Sequence, residues 1–170
     1  FGFVYDKYLK DTNTNVYFSI IPDKNYYLLG DDKNYLSLNY EKLVTDITEK
    51  TSYMKYIDIF SELSVDSYYK TDSHWRQEKI LPVAKKIAGE MGVKLNSTYK
   101  EDFFEKNVYG VYYGQYAINN ASEDMLVTLY NEHTANAKVT DYQNQRKIFV
   151  YNMSKAKGRD FYEAFLGGPL

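Results

Sequence analysis

Residues 15–60 constrain this chain more than any other stretch. Asn15 to Ile21 reads Asn-Val-Tyr-Phe-Ser-Ile-Ile and is stopped by Pro22. A short β-branched and aromatic run bounded by a turn residue is the pattern of a buried strand in an α/β sheet. Leu36, Tyr40, Leu43, Val44 and Ile47 then recur in steps of 4, 3, 1 and 3, which is one face of a helix. Lys55 to Phe60 reads Lys-Tyr-Ile-Asp-Ile-Phe, a second strand. Strand, helix and strand in that order predict a βαβ unit, two parallel strands joined by a right-handed crossover.

Residues 75–91 form the clearest helical pattern. Leu81, Ala84, Ala88 and Met91 share a face, with Ile80 and Ile87 beside them. Pro82 is comfortable only in a first turn, where its missing N–H is not needed, so the regular helix begins near Ile80 or is kinked there. Gly92 is a C-terminal stop. After about residue 105 the texture changes. Val108–Tyr116, Met125–Tyr130, Ala137–Tyr142 and Lys147–Tyr151 read as strands punctuated by Gly, Asn and Asp. The expected fold is therefore one α/β domain over residues 1–170. Its sheet is mainly parallel and flanked by helices, with a β-rich portion added after residue 105.

Charge excludes some partners. Lys and Arg number 21 against 23 Asp and Glu, a net charge of −2. Nucleic acid and anionic membranes both call for a basic surface, so neither is expected. No run of about 18 or more apolar residues is present to span a bilayer. The sequence contains no Cys, which removes disulfides, thiolate chemistry and cysteine zinc sites together. Tyr is 20 of 170 residues. Tyrosine joins an apolar body to a polar tip and suits half-wet positions, carbohydrate-facing surfaces among them; a coding bias toward Tyr, Asn, Lys and Ile explains the excess equally well. The chain opens on Phe1-Gly2-Phe3-Val4-Tyr5 without an initiator Met and closes on Gly167-Gly168-Pro169-Leu170. It reads as a segment of a longer protein, with any signal or membrane anchor outside it.

Only His74 and His133 are available as histidine bases. His74 lies in Tyr68-Tyr69-Lys70-Thr71-Asp72-Ser73-His74-Trp75, between an apparent strand and the following helix. An Asp two residues before a His in a turn can fold back and accept the Nδ1 proton. That fixes the tautomer and leaves Nε2 free to take a proton from a hydroxyl. The bland reading makes Thr71, Asp72 and Ser73 helix caps and Trp75 a core anchor. The catalytic reading predicts the His74 ring within hydrogen-bond reach of Asp72 at the mouth of a cleft.

Thr71-Asp72-Ser73-His74-Trp75, with Tyr69 before it, resembles the Asp-x-His-Trp signature of the DHHW family. That family is related to the SGNH-like proteins of bacterial exopolysaccharide O-acetylation, including those of alginate. Ser73 stands where the first His of the eponymous motif would be; the related alginate proteins accept small polar residues there. Phe18-Ser19-Ile20-Ile21-Pro22-Asp23-Lys24 is similar to the family's strand ending in Pro-x-Lys, and Tyr112-Tyr113-Gly114-Gln115-Tyr116 to its Gly-bearing aromatic segment. The resemblance spans about Val16 to Pro169.

What it implies is an SGNH-like three-layer sandwich with Asp72 and His74 as catalytic pair. The nucleophilic Ser of the family lies in a later Asp-Ser segment, the reverse of the order in ordinary SGNH hydrolases. Ser67 follows Asp66 and Ser73 follows Asp72, but neither sits in a Gly-flanked elbow after a hydrophobic strand. The nucleophile is therefore expected outside these residues, and this segment alone is expected to be inactive.

The implied function is serine-dependent acetyl transfer or ester hydrolysis on an extracellular or cell-surface polysaccharide. Its partners would be the polysaccharide and an acetyl donor or donor protein, and its location extracytoplasmic. No cofactor is called for. Lys24, Tyr69, Tyr113 and Tyr116 are the candidate substrate-binding residues. Strand alternation would put Tyr112 and Tyr116 on one face and Tyr113 on the other, with at least one of the three in the core. His133 reads as a loop residue between strands. Asp31-Asp32 and Glu123-Asp124 are carboxylate pairs without a completing ligand set, so no metal is expected. The alternative function is a non-catalytic carbohydrate-binding or scaffold domain of the same fold.

Overall fold

The computed structural model describes residues 1–29, 34–117, 119–158 and 160–165. Asp31-Asp32 and the end of the chain after Phe165 lie outside them. Helix α1 (Gly2–Val4) runs on into a wider-wound turn, Tyr5–Leu9. The expected βαβ unit follows. Strand β1 (Tyr17–Phe18) pairs in parallel with β2 (Lys55–Tyr56), with Tyr17 opposite Lys55 and Phe18 opposite Tyr56. Helices α2 (Lys24–Leu29) and α3 (Tyr40–Lys50) lie between them in the chain. The predicted helical face began at Leu36, but α3 starts four residues later, at Tyr40. There Asn39 caps the helix by accepting the Lys42 N–H at 2.9 Å.

The strong helix also starts late. Trp75 does not open it; the residue bridges back to Tyr68 and closes a hairpin-like loop. A 3₁₀ turn (Gln77–Lys79) intervenes before α4 (Leu81–Glu90), which holds Pro82 in its first turn. At its end Gly92 takes φ 78°, the left-handed region that glycine enters without a Cβ penalty. The Val93 and Gly92 N–H groups close on the carbonyls of Ala88 and Gly89 at 2.8 and 3.0 Å, satisfying two orphan acceptors.

The second half is antiparallel. Strand β3 (Lys100–Val108) pairs with β4 (Asp124–Tyr130) through two irregularities in register, and β5 (Lys138–Asp141) pairs with β6 (Arg146–Phe149). The continuous run Leu126–Leu129 is buried on both faces, as a strand with no polar alternation must be. Among the described residues the strands form three two-stranded sheets, one parallel and two antiparallel.

Two expectations from the sequence are overturned here. Val108–Tyr116 is not a strand. After β3 the chain turns at Gly110 into helix α5 (Val111–Gln115), because the amides of 110–112 find partners in the His74 loop rather than on a neighbouring strand. Tyr112 and Tyr116 still share a side, but by helical spacing, with ring centroids 5.7 Å apart. His133 is not in a loop either. It lies in α6 (Glu132–Asn136), whose start Asn131 and Thr134 close with reciprocal 2.9 Å hydrogen bonds.

Two hydrophobic clusters flank the Tyr68–Trp75 loop. One contains Tyr69, Val108, Leu126, Ala156, Phe161 and Ala164; the other contains Ile57, Ile59, Leu63 and Val83, with Trp75 packed on it. Tyr69 and Trp75 thus anchor the loop in different clusters. Trp75 is half-buried, less enclosed than a pure core anchor.

Candidate active site

The Tyr68–Trp75 loop is short enough to bring residues 72 and 74 together. The Tyr69 N–H donates to the His74 carbonyl at 3.1 Å and the Arg76 N–H to the Ser67 carbonyl at 2.8 Å, so the backbone doubles back on itself. Within that turn Asp72 is fully buried. Its Oδ1 accepts the His74 backbone N–H at 2.9 Å and lies 2.5 Å from His74 Nδ1. Its Oδ2 accepts the Val111 N–H at 3.2 Å. A carboxylate removed from water is tolerable only with such donors around it. Asp72 is not a cap for the helix that follows it in sequence; the helix it serves is α5, 39 residues on.

An ionised carboxylate can only accept, so the Nδ1–Oδ1 contact assigns the proton to Nδ1. Neutral His74 then carries its lone pair on Nε2. The side chain is 44% exposed, and no serine oxygen among the described residues bonds to the ring. Ser67, buried, accepts the Ser64 N–H at 3.0 Å, and Ser73 is the exposed neighbour of His74. One face of the imidazole is covered by Tyr162, stacked at a centroid distance of 3.8 Å and 14° from parallel. Burial, then the charges of Asp72 and Asp160, push the Tyr162 hydroxyl above its ordinary pKa, so Tyr162 stays neutral on the ring. The stack predicts upfield-shifted His74 ring protons in NMR spectra. Tyr162→Leu should move them back toward random-coil positions with the fold kept; unchanged shifts would mean that the rings do not stack in solution.

Thr71 and Asp124 hold the loop from below. Asp124 Oδ1 accepts the Lys70 N–H at 2.8 Å, while Oδ2 accepts the Thr71 N–H at 2.9 Å and the Thr71 hydroxyl at 2.8 Å. Thr71 Oγ1 in turn accepts the Gly110 N–H at 2.7 Å, and the Thr71 carbonyl accepts the Tyr112 N–H at 3.1 Å. Three successive amides at the start of α5 are thereby satisfied by Thr71 and Asp72.

Gly110 is required for a spatial reason. Its φ is an ordinary −76°, but a Cβ there would lie 2.5 Å from both the Thr71 carbonyl oxygen and Asp72 Cβ. Gly110→Ala must push the loop away and should destabilise the protein by about 1–3 kcal/mol. Chemical denaturation measures this, and an unchanged midpoint would show that the loop yields freely.

The other candidates fall as follows. Lys24 starts α2 and does not face outward. Its Nζ donates to the carbonyls of Tyr69 and Lys70 at 2.6 and 3.1 Å, making it a strut of the loop. Burial lowers its pKa, against the opposing pull of Asp124 and Asp72. Tyr69 is wholly buried, T-packed on Phe161 at 4.9 Å, so its ring is core and is not presented to a ligand. Tyr113 is half-buried and stacks on Tyr109 at 4.2 Å; Tyr116 is 69% exposed. Tyr113 lies on α5 and Tyr116 caps its end, but the ring on His74 is Tyr162. Of the Glu123-Asp124 pair, Asp124 is committed to the loop. Among the described residues no group of three or more His, Cys, Asp and Glu side chains is placed to hold a metal, and no helix is long and apolar enough to cross a membrane.

Gly110 and Tyr162 were missed from the sequence, and Asp124 was read only as half of a carboxylate pair. They lie 38–90 residues from Asp72 or His74, and nothing in local spacing marks such partners. The one usable signal was Asp124 immediately before an apolar strand, a charged residue that a buried strand would otherwise avoid.

The fold has relatives among solved structures. A DHHW family protein from Eubacterium siraeum superposes with a TM-score of 0.69 at 20% identity, covering 92% of this chain and 56% of that one. Bacillus cereus PatB1 superposes with a TM-score of 0.64 at 15% identity, covering 93% and 61%. No family model and no curated protein matches the sequence. The chain thus spans 56% and 61% of the length of these two structures and shares their fold over that span.

Proposed function

We propose that this chain is the Asp–His-bearing part of an SGNH-like, serine-dependent acetyltransferase or esterase that acts on a cell-surface or extracellular polysaccharide. The observation that carries the reading is the Asp72–His74 pair itself: a buried carboxylate 2.5 Å from Nδ1 of a half-exposed imidazole. This is the orienter–base half of a hydrolytic triad. The serine would come from outside these 170 residues and would give its proton to His74 Nε2 as it attacks the acyl carbonyl. The acyl-enzyme then passes its acetyl group to a sugar hydroxyl or to water, and the acceptor alone separates transferase from esterase.

A serine-directed fluorophosphonate tests this in the full-length gene product. The expected result is one labelled serine outside residues 1–170, with labelling slowed strongly in His74→Ala. Full-length protein that is neither labelled nor active on acetyl esters, yet still binds glycans, would overturn the reading in favour of a binding or scaffold domain.

A further inference from the structure

We infer that the groove between residues 94–100 and the end of β4 with α6 is the seat of an acidic glycan chain, the acceptor strand of the site proposed above. The inference rests on that reading for the word acceptor but not for the binding itself. The groove encloses about 1060 Å³. That is at the upper end of small-ligand pockets, and it suits several joined sugar rings better than one compact molecule.

Its lining is what a polyhydroxylated ligand needs. Tyr99 and Tyr130 supply aromatic rings, Tyr130 being 37% exposed, and apolar sugar faces pack on such rings while the phenol hydroxyls bond to sugar hydroxyls. Asn96, Ser97 and Asn131 add neutral donors and acceptors. The two walls are tied together in advance, because Asn131 Nδ2 donates to the Thr98 carbonyl at 3.3 Å. A tied groove loses less freedom on binding.

Charge selects the kind of glycan. Lys94 and Lys100 both line the groove, both are exposed, and neither has an ion pair among the described residues. Against them the groove lining holds one carboxylate, Glu132, which is 83% exposed, so the cations outnumber it two to one. An excess of cation beside aromatic rings favours a chain carrying carboxylate or other anionic groups over a neutral one.

The groove also leads toward the Asp–His pair. At His133 it meets a second hollow of about 370 Å³, lined by Gln77, Tyr151 and Phe165 among others. The Phe165 ring is 5.4 Å from Tyr162, the residue stacked on His74. A continuous line of side chains therefore runs from Tyr130 through Tyr151, Phe165 and Tyr162 to the base.

Calorimetric titration of the full-length protein carrying His74→Ala, which cannot consume a substrate, tests the groove. The probes are hexamers of galacturonate, of glucose and of N-acetylglucosamine. Galacturonate hexamer should bind most tightly, and its advantage should shrink as salt rises, since exposed charges are screened. Tyr130→Ala and the pair Lys94→Gln with Lys100→Gln should each weaken it by about tenfold, with unaltered melting as the control for folding. Absence of binding by all three hexamers, or binding that these variants leave untouched, overturns the inference. Hydrolysis of a small acetyl ester by the wild-type protein is read separately. Ester turnover without hexamer binding sinks the groove and keeps the enzyme; hexamer binding without turnover does the reverse.

Discussion

Replacing His74 by Ala in the full-length protein should lower acetyl-ester turnover by about 10²–10⁴-fold, the contribution of a positioned general base, with the fold kept but the melting temperature lowered. The ring is 44% exposed and anchors no hydrophobic cluster, but its loss takes one donor from buried Asp72 and the stack from Tyr162, while the backbone N–H groups of His74 and Val111 still hold the carboxylate. Asp72 gives a sharper test. Its Oδ1 meets two N–H groups of His74 and its Oδ2 meets one of Val111. In Asp72→Asn one of those positions becomes an amide NH₂ pointed at another donor. If the NH₂ faces Val111, one helix-start hydrogen bond is lost and the imidazolium has no counter-charge. If it faces His74, Nδ1 must become the acceptor, the proton moves to Nε2, and the base is gone. Either arrangement predicts a large fall in kcat with KM little changed, because what is lost is transition-state stabilisation. A folded His74→Ala protein with wild-type turnover would remove Asp72 and His74 from the mechanism.

The largest effect on stability is expected at Asp124. This carboxylate is 7% exposed and takes hydrogen bonds from the Lys70 N–H, the Thr71 N–H and the Thr71 hydroxyl. Asp124→Ala leaves those donors without a partner in the interior and removes a negative charge that supports the half-buried Lys24 ammonium. The cost should be about 3–5 kcal/mol, a large share of the roughly 5–15 kcal/mol that holds a domain together. Asp124→Asn keeps one acceptor oxygen and should fall between wild type and Ala. Thr71→Val removes the hydroxyl that joins Asp124 to the Gly110 N–H but keeps the carboxylate and its two backbone donors, and should cost about 1–3 kcal/mol, a milder readout if Asp124→Ala fails to fold. Denaturant midpoints order the series. Equal midpoints for all four proteins would show that the network under the loop does not stabilise it.

The parts legible in the sequence were those set by neighbours in the chain. The β1 and β2 segments were recognisable from short apolar runs, and their parallel pairing from the helical stretch between them. Gly92 and Pro82 marked the ends of α4 because each acts on its own backbone. Asp72 and His74 were legible as a pair because two residues in a turn need no help from elsewhere to meet. Where prediction failed, a distant group had taken the backbone. Val108–Tyr116 has strand composition, yet Thr71 and Asp72 capture its amides and bend it into α5. Lys24 and Tyr69 have the composition of a binding site, but one is drawn inward to two carbonyls and the other is enclosed by the core.

From the sequence alone, then, came the local order of elements and the two residues whose chemistry depends on spacing of two. The tertiary structure alone decided how that pair is held: Asp124 beneath the loop, Gly110 where no Cβ fits, Tyr162 across the imidazole. The physical reason is that hydrogen-bond partners and ring stacks act over a few ångströms in space but here are separated by 38–90 residues along the chain, and short-range periodicity carries no record of such distances.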